Sequence, residues 1–518
     1  MSATCRPWWP RCACPTSRSS AACSTGTDRR RMRAVVSRWL WGLGLAMGAA
    51  PIWAQSAPAA CPDGPRLSPD GQSAAALQKA IDKAPADTVV MLAGRYDIDR
   101  TVRLRSGTRL CAQPAATLQW ADEDRPGLLL DGTRADHTRI QNLILQGRGI
   151  ALKGRGHHVE NNWIRRITGG PHQGKAHWNQ RHGVIVVDRA EQLRVIGNRF
   201  EDIVDTGIMA YGLRDSALQQ NHFLRVVEGI HLWSSGHTTV AGNTGEGFTA
   251  MAIEVQGDDI PGLVIRDNRF SSWLATHDPG SYAMSVVSGD GAVVSGNTVE
   301  ARPGMGATLE VGGIAPVVQG NTLVGAPLVI ATAPDARIEG NTVRGAGIFK
   351  DVNRVQGGQL RISGNRIEQA PRVAIGTDYW RGYDRITLSD NTIVRQQQPG
   401  DAPFIGILLT GTDKSPLTVT GNRVTLLPGS TASAPMACFG NSGHQGDMRG
   451  ALVADNVCEG RGHGAFVSTN SQGGHVGVRY LRNTLRDLRQ GISGDSSGLI
   501  AERNRLERVA TDPAGLGR

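Results

Sequence analysis

The sequence predicts an all-β solenoid: one stack of coils, each built from three short strands. Three observations carry this. Asparagines recur at Asn198, Asn221, Asn243 and Asn268, at intervals of 23, 22 and 25 residues, and a fixed period in that range marks stacked units. Each unit repeats one formula: Gly-Ile-x-apolar-x as in Gly229-Ile230-His231-Leu232-Trp233, a small turn, an apolar pair, then x-Asn-x-apolar as in Gln220-Asn221-His222-Phe223. The segments alternate with period two between Gly, Asn, Ser and Asp turns, and no segment of the repeat has the length or 3.6-residue pattern of a helix. Such a coil climbs one strand spacing, about 4.8 Å, per turn. An Asn at one corner of every coil can hydrogen-bond its neighbours above and below, and it tolerates the left-handed backbone of a tight corner. The ladder is therefore expected to be structural.

These repeats resemble the right-handed parallel β-helix (pectate-lyase-like) superfamily. The resemblance spans about Val89 to Leu506. It implies that Gly-Ile-x-Leu forms the first strand of a coil, the apolar pair before Asn the second, and the residues after Asn the third. It specifies fold more than reaction, because the superfamily holds lyases, hydrolases, epimerases and non-enzymes.

Residues 1–54 read as a leader. From Met32, a basic segment to Arg38 precedes an apolar run, Trp39 to Ala50, and then Pro51-Ile52-Trp53-Ala54, the pattern of a secretory signal. The apolar run is too short to span a bilayer. Residues 1–31 read as translated upstream sequence, with a twin-arginine leader at Arg29–Arg31 as the rival. Residues 1–54 hold eight Arg and one Asp, seven of the formal ten positive charges, so the remainder carries about three and implies no nucleic-acid partner. Residues 55–510 are expected to form one β-helix domain, with 511–518 as a flexible tail. The expected protein is monomeric, without a membrane span once the signal is removed, and periplasmic or secreted. Its four remaining cysteines, Cys61, Cys111, Cys438 and Cys458, suit disulfides in an exported chain. Cys61–Cys111 would tie down the N-terminal cap. Cys438 and Cys458 lie about one coil apart, so stacking would bring them together.

Ser73 to Ala84 reads as a short helix, with Ser73 as N-cap, Leu77 and Ile81 on one face and Pro85 after it. A helix there would cover the open end of the stack, an edge that otherwise invites aggregation. Corner asparagines continue from Asn142 and Asn162 through Asn297, Asn321, Asn341, Asn365, Asn391, Asn422, Asn456 and Asn483 to Asn504. Two gaps, 162–198 and 422–456, are long, and excess length must leave the stack as a loop.

The first long gap places its excess at Thr168–His182, in front of a first strand. The resemblance makes this corner a wall of the substrate cleft. Lys175, His177, Arg181 and His182 are candidate substrate contacts, and Arg148, Lys153, Arg155, Arg165 and Arg166 join them in a basic wall that favours an anionic substrate. Alternation turns His231 and Trp233 outward, with Met209 and Tyr211 one coil earlier and Glu254 and Gln256 one coil later; Ser285 and Glu310 extend the column. A second loop, Ser271–Tyr282, brings His277 to the far side. His231 is the candidate base, Tyr211 the acid and Glu254 the partner that orients His231, with Trp233, Gln256 and His277 as further substrate contacts. No metal ligand is assigned: His172, His177 and His182 lack a zinc spacing motif. Calcium is the one cofactor left open, through Asp205, Glu228 and Glu254, although the sequence shows no dense acidic cluster. The expected activity is β-elimination or C5-epimerisation of an acidic polysaccharide. Glycoside hydrolysis, through Glu254 with Asp258 or Asp205, and non-catalytic polysaccharide binding are the alternatives.

Overall fold

The computed structural model describes residues 60–169, 175–258, 260–274, 282–351, 355–376, 382–409, 417–429, 434–441, 450–469, 477–493, 498–512 and 515–517, the side chains of 175–177, 441 and 469 excepted. The leader reading of residues 1–54 lies outside them.

Forty-eight strands pair in parallel, each with the equivalent strand about one coil away. They fall into three faces. The first runs through Val184–Glu191, the end of Arg199–Tyr211, the end of His222–Trp233, Ile253–Gln256, Tyr282–Val286 and Ala307–Val311. The second runs through Arg194–Ile196, Ala217–Gln219, Thr239–Ala241 and Val264–Arg266. The third runs through Trp163–Ile167, the starts of Arg199–Tyr211 and His222–Trp233, then Thr244–Glu246 and Arg269–Ser271. Arg199–Tyr211 and His222–Trp233 each turn the corner from third face to first without a break. The alternating apolar residues point inward into one continuous core, in which Phe200 and Phe223 stack at 5.1 Å. Each such side chain stabilises the stack by about 1.5–3 kcal/mol.

The asparagine ladder is as expected in its bonding. Asn221 Oδ1 accepts from both the backbone N and Nδ2 of Asn198, at 3.0 and 3.1 Å, while Asn221 Nδ2 donates to Val195 O at 2.9 Å and to Asn243 Oδ1 at 3.0 Å. The pattern repeats to Asn483 and Asn504. Two expectations need correction. The left-handed residue is not the Asn but the one before it: Gly197 (φ 68°), Gln220 (54°), Gly242 (64°) and Asp267 (57°). The Asn itself must keep its backbone N–H aimed at the next coil. Asn142, moreover, is not a rung. It occupies the left-handed position (φ 59°), and it is Leu143 N that donates to Asn162 Oδ1, at 3.0 Å. The Gly of the Gly-Ile formula answers a different need. A Cβ on Gly207 would lie 2.7 Å from the Phe223 ring and 2.9 Å from Gly229 O, so the backbone can turn this corner only without a side chain.

The N-terminal helix spans Ala74–Lys83, with Ser73 Oγ accepting from Ala76 N at 3.2 Å and Leu77 and Ile81 buried in the core. At the other end, the described residues of the segment expected to be a flexible tail make contacts with the last coils. Leu516 is fully buried, Thr511 bridges to Gln490, and Leu516 O accepts from Asn504 Nδ2 at 3.0 Å. Among the described residues no rung follows Asn504, and the Leu516 carbonyl takes that place. Disulfides join Cys61 to Cys111 and Cys438 to Cys458. The second does not climb the stack as expected. Cys438 lies on the first face and Cys458 on the third face of the same coil, so the bond crosses the core. No helix among the described residues is long and apolar enough to cross a membrane.

Candidate active site

The outward column of the first face is set by strand register. Ile185, Met209, His231, Glu254, Ser285 and Glu310 stand opposite one another on successive coils. Ile230 and Leu232 point into the core, as alternation requires. Outward is not the same as exposed, however. Met209, Ser285 and Glu254 are buried, Glu254 with 6 % of its surface accessible. Neighbouring strands are about 4.8 Å apart, so side chains of one column cover each other. Met209 packs with Ala151 and Ile185, and Tyr211 lies half-buried against them. Among the described expected contacts, Trp233 alone stands well into solvent, 43 % exposed.

His231 is the centre of a hydrogen-bonded network. Its Nδ1 lies 3.1 Å from Glu228 Oε2 and 3.3 Å from Glu254 Oε2. Its buried Nε2 has no hydrogen-bond partner among the described residues. Glu254 Oε1 accepts from Gln256 Nε2, so both oxygens of Glu254 are engaged. Glu228 Oε2 also lies 3.2 Å from Thr206 Oγ1, which lies 3.2 Å from Asp205 Oδ1. Asp205 Oδ2 accepts from Arg181 Nε at 2.8 Å. Beyond Glu254, Ser285 Oγ donates to Glu310 Oε2 at 2.8 Å.

Burial sets the titration of this network. It pushes Glu254 up to about 7, against the pull of His231. It also raises Asp205, opposed by Arg181, and Glu310, opposed by Ser285. For His231 burial works downward, but the bond to Glu228 and the charges of Glu254, Glu228 and Asp205 outweigh it, and the net direction is up.

Several expected contacts fall elsewhere. His182 is fully buried, with its ring edge-on to Trp178 at 4.9 Å, and cannot touch a substrate; burial drives it down to about 3. Arg181 reaches the site but is held by Asp205. Gln256 holds Glu254. Lys175 and His177 lie in a short 3-10 helix, Lys175–Arg181, their side chains outside the described residues. His172 and His277 also lie outside them. The basic wall is largely neutralised. Lys153 pairs with Asp188 at 2.6 Å, Arg155 with Glu191 at 2.6 Å, and Arg165 lies over the Trp163 ring at 4.0 Å. Arg148 is buried, bonded to the carbonyls of Gly147 and Glu123. A count along the sequence misses these carboxylates because stacking brings them from later coils.

The same stacking gathers the acids that the sequence left scattered. Glu228, His231 and Glu254 each place a ligand atom within 4.8 Å of the others. This set does not fit calcium, which takes six to eight oxygen ligands. Its central donor is a nitrogen already hydrogen-bonded to Glu228 and paired with Glu254.

Comparison with known proteins agrees with the fold. A family profile described as a right handed beta helix region matches residues 228–393. Among solved structures, the bacteriophage phi29 gene product 12 N-terminal fragment is similar at 13% identity, covering 82% of this chain and 90% of that one, with a TM-score of 0.49. A PL6 alginate lyase complexed with a trisaccharide is similar at 13% identity, covering 85% and 88%, with a TM-score of 0.36. PfbA, a surface adhesin of Streptococcus pneumoniae, is similar at 12% identity, covering 81% and 87%, with a TM-score of 0.29. No curated protein matches the chain. The profile over residues 228–393 agrees with the stacked parallel coils of the fold.

Proposed function

We propose that the chain is an exported carbohydrate-processing enzyme that abstracts a proton from a sugar carbon, by β-elimination or C5-epimerisation of a uronate-containing polysaccharide. The observation that carries this is His231, whose Nδ1 is held between two carboxylates while Nε2 is unbonded. Carboxylates on Nδ1 fix the tautomer with its proton there and leave the Nε2 lone pair as the base, which is enclosed in this structure and has to be uncovered for a sugar to meet it. Tyr211, one coil earlier on the same face, is the group proposed to protonate the leaving oxygen in elimination. Arg181, paired with Asp205 in the same network, is the cation proposed to meet the charge that develops on the uronate carboxylate. Trp233 offers the exposed ring on which a sugar stacks. The leader pattern and the two disulfides support export.

Glycoside hydrolysis is the second reading, favoured by Glu254. A carboxyl raised to about 7 is a proton donor at neutral pH, with Glu228 beside it. It ranks second because both oxygens of Glu254 have partners within the network.

The test is incubation with uronate-containing and neutral polysaccharides. Elimination yields absorbance near 235 nm, roughly the band of an unsaturated uronate, and epimerisation yields a changed uronate ratio without cleavage. Reducing ends without that absorbance establish hydrolysis. His231→Gln should lower turnover by about 10²–10⁴-fold, the usual contribution of a general base. Full activity in that variant refutes the site, and binding without turnover in the wild type leaves a polysaccharide-binding protein.

A further inference from the structure

Thr206 sits where a side chain cannot reach substrate, with 1% of its surface exposed. Its hydroxyl lies 3.2 Å from Asp205 Oδ1 and 3.2 Å from Glu228 Oε2. A hydroxyl has one proton to donate. Two carboxylate oxygens at that distance therefore cannot both be charged acceptors with a full hydrogen bond each. Either the proton is divided between them, or one carboxyl carries a proton of its own and donates back to Oγ1. Asp205 suits the second arrangement: it is enclosed, and burial raises it. With a proton on Asp205 Oδ1, the bonds converge on Glu228: Asp205 donates to Thr206, Thr206 donates to Glu228, and His231 Nδ1 donates to Glu228 from the other side, with Glu254 beside it.

His182 extends this line inward. It is fully buried, neither ring nitrogen has a hydrogen-bond partner among the described residues, and Nδ1 lies 3.9 Å from Asp205 Oδ1. The charged and titratable groups facing Thr206 are therefore Arg181 and His182 from the preceding coil, Asp205 on its own strand, Glu228 and His231 from the next, and Glu254 beyond.

We propose that Thr206 is a positioning residue that couples the Arg181–Asp205 pair to the Glu228–His231 pair, its hydroxyl aiming a proton at Glu228 so that Glu228 is held against His231 Nδ1. This rests on the reading of His231 as the base. The hydroxyl presents the positive end of its dipole to Glu228 and so moderates the proton affinity of the whole cluster. Without it, the cluster keeps its proton to higher pH, and His231 spends less time as a free base.

The decisive experiment compares Thr206→Val with Thr206→Ser in the full exported chain. Val keeps the branched shape and removes the hydroxyl; Ser keeps the hydroxyl. The first readout needs no substrate: the titration of the His231 ring by NMR of ¹³C-histidine protein, assigned with His231→Gln. Thr206→Val should move it up by roughly half a pH unit or more, about the worth of one buried hydrogen bond, and Thr206→Ser should restore it. The second readout is turnover. Thr206→Val should lower kcat by about tenfold at neutral pH with KM unchanged, and shift the rising limb of the pH profile upward. If Thr206→Val does not fold, Thr206→Ala replaces it. An unchanged His231 titration overturns the proposal. A shifted titration in a protein without activity on any glycan upholds the coupling and overturns the enzymatic reading instead.

Discussion

Two lines of polar side chains climb the same stack, and they behave in opposite ways. The corner asparagines are buried, identical from coil to coil, and bonded to the rungs on either side. The outward column of the first face is also largely buried, but each coil contributes a different residue: Met209, His231, Glu254, Ser285, Glu310. Here bonds are shared between too many carboxylates, and His231 keeps an unbonded nitrogen. Repetition satisfies polar groups because every donor meets an identical acceptor one coil away. Variation leaves some unsatisfied, and such groups are available for chemistry.

The largest effect should come from breaking the ladder. Asn243→Ala removes the acceptor for Asn221 N and Nδ2 and the donor to Leu218 O. Stability should fall by about 3 kcal/mol, since each buried group left without a partner costs roughly 1–3 kcal/mol. Chemical denaturation measures this directly. A loss below about 0.5 kcal/mol, the size of an ordinary surface substitution, would mean that the rungs carry no such weight.

A smaller effect should separate the two lines by pH. Glu254 titrates at about 7 in the folded chain against its ordinary 4.5. A raised carboxyl contributes stability that is fully present below the unfolded value and is lost as pH rises through the folded one. Asp205 and Glu310 are shifted in the same direction by burial. Thermal stability should therefore decline between about pH 4.5 and pH 8, and Glu254→Gln should flatten the decline. Glu160, held at about 2 chiefly by His158 and Arg139, works in the other direction. Its contribution is present above its ordinary value and disappears only as pH falls toward 2. A melting profile with no difference between wild type and Glu254→Gln from pH 5 to 8 would show that the column does not carry the shift.

The smallest effect belongs to the exposed end of the site. Trp233→Ala should leave the melting temperature unchanged, because its ring stands in solvent. On a glycan substrate it should raise KM by about fivefold, the loss of roughly 1 kcal/mol of ring stacking, with kcat retained. An unaltered KM would move the sugar-binding surface away from Trp233.

The sequence by itself determined the coil. Its Asn period, its Gly-Ile formula and its two-residue alternation are local facts, and in a solenoid each coil meets only its neighbours, so local pattern and tertiary packing coincide. It also determined which side chains share the outward column, because register in a stack of equal coils follows from counting. Only the tertiary structure decided what that column is like. Arg148, Lys153, Arg155 and Arg181 read as a basic wall along the chain, yet coils 20 to 40 residues later supply Asp188, Glu191 and Asp205 to three of them, and Arg148 turns inward. Glu254 read as an outward carboxylate, yet its neighbours bury it. Glu228 and Thr206 had no claim on His231 from spacing alone; the unbroken bend of His222–Trp233 around the corner brings one to Nδ1 and the register of the coils brings the other beneath it. Alternation tells which way a side chain leaves the strand. Its burial, charge state and partners depend on the corners and on the coils above and below, where residues distant in the chain come within bonding distance.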